Sequence, residues 1–198
     1  MAIKFQYNKT SLQELNKQLN MRVKALPTIK NKESALRMEV KKAKDQAEAL
    51  DAKLEKKIRE YEYMMRLWCE FDPEIVKIKK VDSSIKKIAG VLTPVLEDIH
   101  FEVSDFSLFS EPDWFLDGIE ILKSLSKLVM ERDFFYRKMK LLDYARKKTT
   151  QKVNLYEKVQ IPGYEDAILK VKRFLEDEEN LSKSAQKIVK SRQQEVAL

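Results

Sequence analysis

The residue types able to do chemistry are sparse in this chain. Its single cysteine, Cys69, and single histidine, His100, cannot make a zinc site of Cys and His ligands, a disulfide or a Cys/His catalytic pair at any known spacing. Glu165-Asp166 and the run Glu176 to Glu179 are acidic groupings that could ligate a metal, but on a helix this charged such clusters read as a solvated face. His100 reads as a loop or packing residue and Cys69 as a small buried hydrophobe. The three glycines, Gly90, Gly118 and Gly163, lie too far apart for a phosphate-cradling or dinucleotide loop. These patterns assign no catalytic residue, no metal ligand and no cofactor.

The elements that carry these residues are helical on composition alone. In 198 residues there are three glycines and five prolines, where average usage of about 7% and 5% would give roughly fourteen and ten. Few turns can be built, and 43% apolar with 36% charged residues still supports a folded chain. The longest uninterrupted apolar run is three residues, as in Trp114-Phe115-Leu116, against about twenty for a membrane span and at least about seven for a signal-peptide core. The expectation is a cytoplasmic protein with no direct membrane insertion.

Helix breakers and charge divide the chain alike. Gly90, Pro94, Pro112 and Gly118 crowd the middle, while residues 119 to 162 hold no glycine and no proline before Pro162. Residues 1 to 70 carry a net +6, residues 71 to 118 a net −5 and residues 119 to 198 a net +6. This predicts a mainly all-α protein, a long antiparallel two-helix coiled coil: an N-terminal helix over 1–70, a head over 71–118 with a short β-hairpin and loop, and a C-terminal helix over 119–198.

In the first arm, Thr10 or Ser11 is expected to cap the helix, with Glu14 completing a capping box. Steps of three and four from Leu12 visit seventeen positions up to Trp68, and fourteen are apolar. Only Arg22, Glu33 and Lys57 interrupt this 3.5-residue repeat, the pattern of a coiled-coil strand. Arg22 and Lys57 must snorkel, meet a partner or fix register; on that reading Arg22→Leu would stabilise the isolated protein.

The second arm starts near Asp113 and carries a looser stripe through Leu142, Thr149, Val153, Tyr156, Ile168, Val171 and Leu175. Arms of about sixty and eighty residues at 1.5 Å per residue would reach on the order of 90 to 115 Å, predicting a rod. Pairing Trp68 with Ile119 sets Pro27 level with residue 160, so a shared bend or slackening is expected near Pro27 and Pro162. The alternative is that Pro162-Gly163 simply ends one helix. Phe134-Phe135-Tyr136 cannot all face one seam, so a partner or the head must cover part of it. In the head, Val76 to Lys80 and Ile88 to Val95 suggest strands joined across Asp82-Ser83-Ser84, and Asp98 to Pro112 suggests a loop with Phe101, Phe106 and Phe109 packed on the helices.

These residues resemble a family, the D subunit of the vacuolar and archaeal type rotary ATPases. The likeness rests on Asn8-Lys9-Thr10-Ser11-Leu12 with Leu26 to Leu36, including Lys30 and Lys32. It rests also on Lys152-Val153-Asn154-Leu155-Tyr156-Glu157 followed by Ile161-Pro162, and on the hairpin-like stretch Ile75 to Pro94. Lys147, Lys148 and Lys152, interspersed with Thr149, Thr150 and Gln151, stand where the family usually carries arginines, and Pro27 departs from its pattern.

The resemblance implies a non-catalytic central-stalk subunit, the rotor shaft, coupling ATP hydrolysis or synthesis to proton or sodium ion transport. Implied partners are the catalytic A and regulatory B subunits of the ring, the small F subunit of the stalk, and the funnel-like membrane-rotor adaptor. The complex would be cytoplasmic and peripheral to the membrane. Lys30, Lys32, Lys152, Val153, Asn154, Ile161 and Pro162 are the signature candidates, and Phe134 and Tyr136 are candidate contacts for the F subunit. The competing reading is a basic coiled-coil scaffold or nucleic-acid-binding protein, which pI ≈ 9.2 permits. Against it, thirty-two acidic residues interspersed among thirty-nine basic ones leave no clean basic face, so no nucleic-acid partner is expected.

Overall fold

A computed structural model of the chain describes residues 3–105 and 112–196. In chain order it contains helix α1 (Lys9–Glu60), a 3₁₀ turn (Glu62–Met64), the short helix α2 (Met65–Trp68) and a second 3₁₀ turn (Pro73–Ile75). Strands β1 (Val76–Ile88) and β2 (Val91–Val103) follow, then helix α3 (Trp114–Leu155), a π turn (Tyr156–Gln160) and helix α4 (Ile161–Val196). The fold is mainly helical with one antiparallel two-stranded sheet. Two compact units result: one joins the chain up to Lys32 to the chain from Lys148 on, and the other comprises Glu33–Lys147.

The heptad pattern of the first arm is matched position by position. All seventeen stripe residues from Leu12 to Trp68 are buried or half-buried, including Arg22, Glu33 and Lys57. Leu36, Ala43 and Ala47 are completely covered. Helix α1 starts earlier than the capping box suggests. The Ser11 backbone N–H donates to the Asn8 side chain at 2.6 Å, making Asn8 the cap, and Ser11 Oγ instead accepts from Gln6 N–H. Glu14 accepts from Gln18, one turn along the helix.

In the unit formed by the two chain ends, Leu15 packs with Ala167, Ile168 and Val171, flanked by Leu12, Leu19, Tyr164 and Leu175. A third segment joins them. Ile3 and Phe5 are half-buried against this core, and Tyr7 stacks on Phe174 at 4.8 Å, whereas Lys4 and Gln6 point to solvent. This alternation is that of an extended chain. A methyl group built on Gly163 would stand 3.2 Å from Ile3 Cδ1, so glycine is what lets the strap approach α4 there.

In the other unit, Phe71, Ile75, Phe115 and Ile119 form the core beneath the hairpin base, with Trp68 and Trp114 packed against them. Gly118 leaves room for the Trp114 and Phe71 rings, which would lie 3.2 and 3.3 Å from an added methyl group. Two expectations for the head are corrected. The chain reverses at Ala89-Gly90, both at positive φ, not at Asp82-Ser83-Ser84, where the strand continues through a register irregularity. A two-residue loop of this kind needs left-handed backbone, which Gly90 adopts freely. Asp98–Val103 belongs to β2 and is not loop, since the hairpin is longer than its β-branched segments suggest. Phe106 and Phe109 lie outside the described residues.

Cys69 is exposed, contrary to expectation, and caps the C-terminal end of the short α2. His100 is a strand residue. Its Nε2 lies 2.9 Å from Asp82, whose other oxygen accepts from Lys80 at 2.7 Å. The Lys80 bond first, then His100, holds the Asp82 carboxyl below the ordinary carboxylate value. A carboxylate whose folded pKa is depressed stabilises the fold above its ordinary value, and that contribution disappears as pH falls through the lowered one. The Asp82 carboxyl carbon should therefore titrate by NMR below 3.8, and Lys80→Ala should raise its midpoint. A wild-type midpoint at or above 3.8 would contradict the cluster.

Candidate functional site

Polar side chains join the helices within each of the two units. In the unit formed by the chain ends, Lys30 donates to Glu157 at 2.8 Å. Arg22 Nε donates to Gln160 Oε1 at 2.8 Å, and its Nη1 donates to the Gln18 carbonyl and side-chain oxygens at 2.9 and 2.7 Å. The guanidinium also lies 4.5 Å from the Tyr164 ring centroid. Lys30 pairs with a residue whose number complements its own to 187, the register expected from Trp68 and Ile119.

In the second unit the same complement joins Asp51 to Tyr136. Tyr136 Oη donates to Asp51 at 2.6 Å, and Arg132 reaches the other Asp51 oxygen at 3.4 Å. The Asp51 hydrogen bond, reinforced by desolvation, raises the Tyr136 pKa, so the neutral phenol is the form that the fold keeps. Tyr136 thus faces α1. Phe134 and Phe135 turn instead toward the hairpin, lining with Ile88, Pro94, Val95 and Ile99 a groove of about 480 Å³. Both rings are half-buried, and α1 residues Glu39 and Gln46 bound the same groove.

The structure brings some signature residues together and not others. Val153 and Ile161 are half-buried, whereas Lys32, Lys152, Asn154 and Pro162 are exposed. Lys152 Nζ lies 5.8 Å from the Tyr156 ring. Helix α1 continues through Pro27, and the chain stays helical through Pro162-Gly163. The slackening appears on one side only, as the π turn just before Pro162. Gln18, Asp51, Arg132 and Gln160 are the lock residues that sequence reasoning missed. Three of them stand one helical turn from a stripe charge or a phenol: Gln18 from Arg22, Arg132 from Tyr136 and Gln160 from Tyr156.

Among the described residues no group of three or more His, Cys, Asp or Glu side chains could hold a metal ion. Glu179, in the acidic run, pairs with Lys183 at 2.8 Å, which lowers its pKa. No helix among them is long and apolar enough to cross a membrane.

Because Arg22 is fully engaged, the sign expected for its replacement reverses. Arg22→Leu leaves the side-chain oxygens of Gln160 and Gln18 without their donor, so the isolated protein should lose about 1–2 kcal/mol. Urea denaturation checks this, and equal or greater stability than wild type would contradict the lock.

Comparison with known proteins agrees with this geometry. The family profile for the D subunit of ATP synthase matches residues 11–191. The D subunit of the V-type ATP synthase of Borreliella burgdorferi is 30% identical over 190 residues, covering 95% of this chain and 94% of the relative. The corresponding D subunit of Chlamydia muridarum is 27% identical over 184 residues, covering 89% and 90%. That of Chlamydia pneumoniae is 27% identical over 183 residues, covering 89% and 87%. With the match spanning both long helices and the hairpin between them, the chain belongs to the D-subunit family of ATP synthases.

Proposed function

We propose that this chain is the central-stalk subunit of a V-type ATPase, a rotor shaft with no catalytic group of its own. It couples ATP hydrolysis or synthesis in a ring of A and B subunits to proton or sodium ion movement across the membrane. The small F subunit takes the side of the paired helices, with Phe134 and Tyr136 nearby, and the membrane-rotor adaptor takes the end formed by the aromatic core of the head. The basic signature residues Lys30, Lys32 and Lys152 suit a sleeve with acidic inner loops, since complementary charge steers encounter and register. The assembled complex is cytoplasmic and peripheral to the membrane.

One observation carries this reading beyond family membership. Every described side chain of α4 from Glu176 to Gln194 is exposed, although Leu181, Ile188 and Val189 remain 71%, 55% and 53% accessible on a helical spacing. The core of that unit stops at Leu175, and the strap stops at Phe174. A helix with an uncovered apolar stripe marks an interaction site. The ring interior is the partner that a rotor shaft would offer it.

A nucleic-acid-binding scaffold finds less support. Lys42, Lys44, Lys56 and Lys183 each reach a glutamate three or four residues away, so much of the basic surface is already interleaved with acid.

A chain ended after Leu175 tests the proposal. Among the described residues it loses only the exposed side chains of Glu176 to Gln194, so its thermal unfolding should match that of the full chain. Membrane vesicles carrying it in place of the full-length chain should lose ATP-driven ion pumping. Pumping at the wild-type level would overturn the shaft reading.

A further inference from the structure

Before the π turn, the inward positions of the C-terminal helix repeat in sevens. Leu142, Thr149 and Tyr156 form one line, and Arg146, Val153 and Gln160 the other. Beyond Gln160 both lines slip by one residue. Continuing in sevens calls for positions 163 and 170 on the first line and 167 and 174 on the second. The first line resumes instead at Tyr164 and the fully buried Val171, with Lys170 exposed. The second resumes at Ile168 and Leu175, with Phe174 46% exposed. Gly163 and Ala167 are covered as well: Gly163 meets the strap residue Ile3, and the small Ala167 flanks Ile168 in the same core, whereas one turn on Lys170 and Phe174 are exposed. The sequence therefore holds one residue more than the repeat can place.

In an unbroken α-helix that residue would rotate everything after it by about 100° and swing Ile168 and Val171 away from Leu15. The π turn absorbs it. The Ile161 N–H bonds to the Tyr156 carbonyl, five residues back instead of four. Two features hold the turn in place. Pro162 has no N–H for the Lys158 carbonyl, and its ring would collide with that carbonyl in a regular helix. Arg22 grips Gln160 on one side of Pro162 and covers the Tyr164 ring on the other.

We infer that Tyr156–Gln160 is a register device: a one-residue reserve, locked by Pro162 and Arg22, that sets the rotational phase of α4 against α1. Its consequence for the motor rests on the proposed function, where the phase decides which way Leu181, Ile188 and Val189 face the ring. The register itself does not depend on that reading and can be tested without a motor.

The experiment compares denaturant unfolding of the wild-type chain with that of four variants. Deleting Lys158 removes the reserve but leaves Pro162 inside a regular helix. Deleting Lys158 together with Pro162→Ala removes both, and should raise the folding equilibrium constant about a hundredfold over the deletion alone. Pro162→Ala by itself should change wild type far less. A control deletes Asp166 in the Pro162→Ala background, which carries Lys172 into the place of Val171, and should be much the least stable. If the Lys158 and Asp166 deletions are equally unstable beside Pro162→Ala, there is no reserve. If the Lys158 deletion gains nothing from Pro162→Ala, Pro162 is not the lock. Should the Lys158 deletion alone fail to fold, the comparison of the two double variants still decides the first point.

Discussion

A long helix with a narrow apolar stripe is not stable in water on its own account; most of its stability comes from burying that stripe. This single requirement organises the molecule. Along α1 every stripe position is covered, with Ala43 and Ala47 small enough to be enclosed completely. Along α4 the covering stops at Leu175, where the opposing helix and the strap run out together. What lies beyond is helix without an intramolecular seam, and the chain's work with its partners is proposed to take place there.

The seam also explains the polar residues. A charge at a stripe position must find a partner or leave, and Arg22 finds three oxygens and an aromatic face. Asp51 is met by Tyr136 and Arg132 in the same way. Such contacts form at one register only, so they specify alignment while the apolar stripe supplies most of the stability. The surface pairs three and four residues apart, such as Lys44 with Glu48, are solvated and add little.

Much of this was legible in the sequence because a 3.5-residue repeat is a statement about packing, and packing dominates in long helices. The stripe from Leu12 to Trp68 and the antiparallel register follow from spacing, and the weak point near Pro162 from the proline itself, though the matching one expected at Pro27 is absent from the continuous α1. Less was legible where several short-range signals compete. Thr10 and Ser11 are good caps, but Asn8 is also one and lies nearer the strap. Asp82-Ser83-Ser84 has turn composition, but the left-handed backbone at Ala89-Gly90 is where the strands reverse. The partners of the candidate site were hidden for a further reason: Gln160 and Asp51 matter only through residues more than eighty positions away. The looseness of the second stripe did carry a message, since the twelve-residue step from Tyr156 to Ile168 is one residue too long for the repeat.

The central claim is that seam burial, not helix propensity, holds these helices. Amide hydrogen exchange on the intact chain tests it most directly. Strong protection is predicted along α1 and along α3 and α4 as far as Leu175, with a sharp fall over Glu176 to Gln194. Protection continuing undiminished to Gln194 would contradict it.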